Sequence, residues 1–171
     1  SMITHILILN KQDPTAVIGG KLPLINSNGI AGKSETMVCE SCEFVDTFLQ
    51  LSPDVSVLLN IDNDHLDYFK TMENMVKSFR KFVGMGKVCY VNGDDKLAVS
   101  ATEGLPIKTV TFGFSDENEY TAKNEKKGKF GFSFDVCKNG QVITKLELKI
   151  PGHHNILNAL SAFAVAYDLG V

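Results

Sequence analysis

At 171 residues with 44% hydrophobic content, the chain is sized for one domain with a substantial core. A formal net charge of −3 and a pI of about 5.8 argue against a dedicated nucleic-acid binder, which is typically basic along one face. No run of about 18 apolar residues occurs, so no membrane partner is expected, and residues 2–9 are too short and too uncharged at the front for a signal peptide.

Residues 2–10 (MITHILILN) read as the tail of a helix, because the apolar pattern is already running at residue 2 and no cap precedes it. Asp13-Pro14 breaks that helix. Thr15 to Ile18 predicts a short strand ending at Gly19-Gly20, and Lys21 to Ser34 (KLPLINSNGIAGKS) predicts a long loop, either functional or merely mobile. Thr36 to Cys39 predicts a second short strand that ends in Glu40-Ser41-Cys42-Glu43. The apolar spacing 44, 45, 48, 49, 51 then predicts a helix, which Pro53 stops. Cys39 and Cys42 form a C-x-x-C, but a zinc site needs two more ligands that no second pair supplies. With Cys89 and Cys137 they read as free thiols in a reducing cytoplasm.

Val55 to Leu59 is an unbroken aliphatic and β-branched run, suited to a strand covered on both faces in a parallel sheet. Asn60, Asp62, Asp64, His65 and Asp67 follow it directly. In an open α/β sheet, ligands bind beyond the carboxyl ends of strands, and hard oxygens beside one imidazole suit Mg²⁺ or Mn²⁺ better than structural zinc. The competing reading is a solvated turn in which Asp64 caps the next helix. If the strand ending at Glu40 to Glu43 adjoins this one, both polar sets share a rim of the sheet, which favours the metal site.

Thr71 to Val83 places Met72, Met75, Val76, Phe79 and Phe82 on one helical face. Lys87 to Val91 predicts a strand, Asn92-Gly93-Asp94-Asp95 a turn and N-cap for a helix over 96–101, and Ile107 to Phe112 another strand. This alternation calls for an α/β fold with a mostly parallel sheet flanked by helices. Three half-polar alternating runs follow, Glu119 to Asn124, Lys129 to Val136 and Gln141 to Ile150. The last two meet at Asn139-Gly140, a strong hairpin signal, so a small three-stranded antiparallel sheet is expected near the C-terminal part. Its lysines read as a solvated surface. Pro151-Gly152-His153-His154-Asn155 opens a helix through Leu169. There Asn155 and Asn158, three apart, either read a purine edge or cap the helix with Asn158 buried and hydrogen-bonded.

VIGGKL, ESCEFVDTFLQLSPDVSVLLNIDNDHLDYF and IPGHHNILNALSAFAVA, in this order, together resemble the central domain of the Mur ligase family over nearly the whole chain. That resemblance implies a P-loop-type sheet and an ATP-dependent amide-forming ligase that joins L-alanine to UDP-N-acetylmuramate through an acyl phosphate in cytoplasmic peptidoglycan synthesis. It implies Mg²⁺ at Glu43, with Glu40 in the same motif, and at His65. Asn60, with Asp64, then supports the nucleotide or metal site; His154, Asn155 and Asn158 contact the nucleotide, and Asn26 and Asn28 lie near the UDP-sugar. The family's phosphate loop G-T-H-G-K-T and its terminal domains are expected outside residues 1–171, so the chain alone is expected to be inactive. A sister ligase recycling a tripeptide onto the same UDP-sugar and a non-catalytic α/β interaction module are the alternatives.

Overall fold

The computed structural model describes residues 1–62 and 66–171, which divide into two compact units, residues 1–41 with 162–171 and residues 42–161. The first unit holds helix α1 (Met2–Leu9) and a three-stranded sheet in the order β2-β1-β3, made of β1 (Thr15–Leu22), β2 (Ser27–Ile30) and β3 (Met37–Cys39). β1 runs four residues past the predicted end at Ile18. Within the predicted long loop, residues 21–22 extend β1 and residues 27–30 form its antiparallel partner β2, with Ala16 opposite Ile30 and Leu22 opposite Ser27. The turn between them closes because Asn26 takes a left-handed conformation (φ +51°) and donates its backbone N–H to Pro23 O at 3.2 Å.

The second unit carries a six-stranded sheet in sequential order, β4 (Val55–Leu58), β5 (Val88–Asn92), β6 (Lys108–Gly113), β7 (Tyr120–Lys127), β8 (Phe132–Lys138) and β9 (Gln141–Leu148). β4, β5, β6 and β7 pair in parallel, and the helices α2 (Leu66–Phe69), α3 (Met72–Gly84) and α4 (Lys96–Thr102) lie in the connections between the first three. This is the predicted α/β class. The three C-terminal strands are antiparallel to one another, as expected, and the Asn139-Gly140 turn has both residues at positive φ. They continue the main sheet, however, because β7 joins β6 through Phe112↔Tyr120 and Gly113↔Thr121. Asp94 fixes this tight return by accepting from Phe114 N, from Ser115 N at 3.3 Å and from Asn118 Nδ2 at 2.9 Å.

α3 buries Met75, Phe82 and Val83 against β4 and β5 residues such as Leu58 and Val91, and is capped by Thr71 Oγ1 accepting from Asn74 N at 3.2 Å. Helix α5 (His154–Asp168) opens in the second unit. Among the described residues, no helix is long and apolar enough to cross a membrane. β3 pairs with β1, and β4 with β5, so the two strands expected to adjoin belong to different sheets. β3 is a three-residue strand at the edge of its sheet, with β1 as its partner there.

Candidate active site

The residues after Cys42 form a 3-10 segment, Phe44–Gln50, in place of the regular helix their apolar spacing predicts. Val45 (φ +53°) and Asp46 (φ +56°) are both left-handed, and a β-branched residue is rarely found there. Such a backbone costs on the order of 1–3 kcal/mol per residue and persists only where the surroundings over-determine it. Here they do. Asp46 N donates to Glu43 O at 3.0 Å, Thr47 Oγ1 donates to Cys42 O at 2.8 Å, and the Asp46 carboxylate accepts from Tyr68 Oη at 2.8 Å and from Ser78 Oγ. Phe48, next to the kink, is buried among Phe79 and Phe82. Glu43 stands half-buried at the head of this kink. Glu40 lies in the first unit, where one carboxylate oxygen accepts from Gly19 N at 2.7 Å and the other from Ser1 Oγ at 2.8 Å.

The Tyr68 phenol is held above the ordinary tyrosine value by the hydrogen bond it donates to Asp46, then by desolvation and the negative charge nearby. A raised value in the folded chain means that its stabilisation is present below the ordinary tyrosine range and is lost as pH rises through the raised value. An ultraviolet titration of Asp46→Ala should therefore show one phenol ionising at lower pH than in the parent chain.

Asn60 follows β4 and is exposed. Its flanks are clamped: Asn92 Nδ2 donates to Leu59 O at 3.0 Å, and Asp95 Oδ2 accepts from Ile61 N at 3.4 Å. The other Asp95 oxygen caps α4 by accepting from Ala98 N at 2.8 Å, as the sequence predicts. One aspartate thus starts a helix and holds the strand-end loop that carries the polar cluster. Asp95→Ala should cost about 1–2 kcal/mol in a denaturant titration, the scale of a lost N-cap, because Ile61 N also loses its acceptor. Asp62 is exposed, while Asp64 and His65 lie outside the described residues. Among the described residues, no group of three or more His, Cys, Asp or Glu gathers as a metal site.

At the start of α5, Gly152 (φ +97°) lets the chain turn so tightly that a Cβ there would lie 2.6 Å from His154 Cε1. Asn155 does not cap the helix. It sits inside the first turn, donates Nδ2 back to Pro151 O at 2.7 Å, and accepts from Asn158 Nδ2 at 3.1 Å. Asn158 is half-buried, and among the described residues its Oδ1 accepts no hydrogen bond. His153 stacks on Phe114 with ring centroids 5.0 Å apart and meets Glu125 Oε2 at 2.8 Å. Neither His153 nor Asp46, Asn92 and Asp95 as loop supports were singled out from sequence, because their partners lie far along the chain. Asn26 and Asn28 are exposed in the first unit, Asn26 as the turn residue and Asn28 within β2. Lys70 Nζ donates to Asp67 O at 2.6 Å and Lys77 pairs with Glu73 at 2.7 Å. All four cysteines are free thiols, and burial pushes the Cys89 thiol up.

The family described as the Mur ligase middle domain matches residues 2–166. The chain belongs to this family. A UDP-N-acetylmuramate–L-alanine ligase of Clostridium acetobutylicum is 42% identical over all of this chain, which spans 38% of that protein. Its counterpart in Caldanaerobacter subterraneus subsp. tengcongensis is 41% identical, with the same shares covered. The solved structure of UDP-N-acetylmuramate–alanine ligase MurC from Thermotoga maritima superposes with a TM-score of 0.85 at 28% identity, over 99% of this chain and 38% of that one. A ligase from Neisseria meningitides named for UDP-N-acetylmuramate and L-alanyl-gamma-D-glutamyl-meso-diaminopimelate shares the fold at a TM-score of 0.86 and 23% identity, over 99% of this chain and 57% of that one. As a Mur ligase middle domain, the chain spans about two fifths of the curated relatives it matches.

Proposed function

We propose that residues 1–171 serve as the ATP-binding middle domain of a cytoplasmic ligase that joins L-alanine to the lactyl carboxylate of UDP-N-acetylmuramate. The observation that carries this reading is the alignment of the whole chain with curated relatives named for that reaction. Retention of Glu43, His65 and Asn158 at the three motif positions supports it.

A carboxylate is a poor electrophile, so amide formation needs a leaving group. Transfer of the ATP γ-phosphoryl to a carboxylate oxygen gives an acyl phosphate and ADP. The alanine amine then attacks the carbonyl carbon, loses a proton, and the tetrahedral intermediate expels phosphate. The donors fit the groups this requires. Glu43 offers a hard anionic oxygen on an over-determined backbone, and Asn158 Oδ1 is open to accept from the exocyclic amine of adenine. Bound at Glu43 and His65, Mg²⁺ would neutralise charge gathering on the transferring phosphoryl oxygens. Asn155 orients Asn158 through its side-chain oxygen, His154 and Asn60 are assigned to the nucleotide, and Asn26 and Asn28 to the UDP-sugar.

Phosphate release measured with the ligase that has this chain as its middle domain should require ATP, Mg²⁺, UDP-N-acetylmuramate and L-alanine together. The 171-residue chain alone should incorporate no radiolabelled alanine. Turnover with a tripeptide and none with L-alanine would assign the sister activity instead.

A further inference from the structure

The far end of the β7–β8–β9 ribbon gathers charge of one sign. Lys126, Lys127, Lys129, Lys145 and Lys149 line an open groove of about 570 Å³ beside Phe130, and the lining holds a single carboxylate, that of Glu147. All five lysines are exposed, and none pairs with a carboxylate among the described residues. Lys129 and Phe130 form the apex of the β7–β8 turn, with Lys129 Nζ 5.0 Å from the Phe130 ring centroid. The turn has a firm base. Gly128 N donates to Gly131 O at 2.8 Å, and Gly131 backs so closely onto β9 that a Cβ there would lie 2.0 Å from Leu148 O.

Solvation accounts for the lysines, but not for a phenyl ring that is 68% exposed at the apex, with Ile150 also 40% exposed close to Lys149. Removing such a ring from water is favourable, and a fluid anionic surface accommodates both features: headgroup phosphates meet the ammonium groups while the ring enters the headgroup and acyl boundary. A single-stranded nucleic acid is usually held by several aromatic platforms, and an acidic peptide would answer the charge while leaving the ring in water. We propose that the Lys126–Phe130 turn, with Lys145 and Lys149, docks this chain peripherally onto an anionic lipid surface. The expectation of no membrane partner rested on the lack of a spanning run, and a peripheral contact needs none. The proposal stands apart from the ligase reading, since it uses none of the residues assigned to catalysis.

The test is co-sedimentation of the chain with vesicles of mixed phosphatidylglycerol and phosphatidylcholine, against vesicles of phosphatidylcholine alone. Binding is expected to the anionic vesicles only, and to weaken as salt is raised. Each lysine neutralised should lower the partition coefficient about fivefold, so Lys126→Gln/Lys127→Gln/Lys129→Gln should lower it about a hundredfold. Phe130→Ser should reduce it while preserving the salt dependence. A control of equal charge change on exposed lysines elsewhere, Lys21→Gln/Lys96→Gln/Lys108→Gln, should retain most of the binding. Circular dichroism checks that each variant is folded. No partition onto anionic vesicles, an equal loss in the control, or tighter binding to polyglutamate or to a single-stranded oligonucleotide would overturn the proposal.

Discussion

Glu43→Gln, introduced into the ligase that has this chain as its middle domain, is expected to lower turnover about a hundred- to a thousand-fold, the usual effect of removing one charge-stabilising group from a reacting site. Glutamine keeps the size of the side chain and removes its charge, so a bound cation loses an anionic oxygen while the backbone kink remains. That kink is held by Asp46, Thr47 and Phe48, and the variant should unfold at nearly the parent temperature. His65→Ala should fall as far in turnover if both groups serve metal ions at the transferring phosphoryl. A loss of less than threefold in either variant would remove that residue from the proposed site. Steady-state phosphate release with saturating substrates makes the comparison.

Phe48→Ala should cost about 3–5 kcal/mol of stability, the range for deleting a fully buried aromatic side chain. The ring is only 2% exposed, stacks on Phe82 at 4.7 Å and meets Phe79 edge-on at 5.2 Å, so its removal leaves a cavity lined by aromatic side chains. The Phe48 ring also anchors the segment that begins at Glu43 by its packing on Phe79 and Phe82. The variant should therefore lose turnover beyond the unfolded fraction. Denaturant unfolding gives the first quantity and activity at a temperature where both proteins are folded gives the second. A cost under about 1 kcal/mol would mean that the pocket collapses around the alanine.

The elements most legible in the sequence were those whose pattern is local. The face of Met75 and Phe82 predicted α3, the Asn139-Gly140 turn predicted the last hairpin, and Asp95 predicted the cap of α4. Strand β2 reads as loop in the sequence because Ser27, Asn28 and Gly29 are poor strand formers, and only pairing with β1 makes them one. The apolar spacing of the Phe44–Gln50 segment is that of a regular helix, whereas the left-handed turn at Val45 and Asp46 depends on Tyr68 and Ser78, more than twenty residues further on. Periodicity foresaw three antiparallel strands but not their junction with β6, which Asp94 secures through Phe114, Ser115 and Asn118. At the candidate site, the motif residues were visible in the sequence. The clamps around Asn60 were not, since hydrogen bonds between side chains and backbone more than thirty residues apart leave no periodic trace.

Whether Asn158 and Glu43 serve one Mg²⁺-nucleotide site, as proposed, is decided by calorimetric titration of a non-hydrolysable ATP analogue into the ligase that has this chain as its middle domain. Binding should strengthen with Mg²⁺, be about tenfold or more weaker in Asn158→Ala, whose adenine contact is gone, and respond less to Mg²⁺ in Glu43→Gln. Equal affinity in the parent and both variants, with the same response to Mg²⁺, would contradict it.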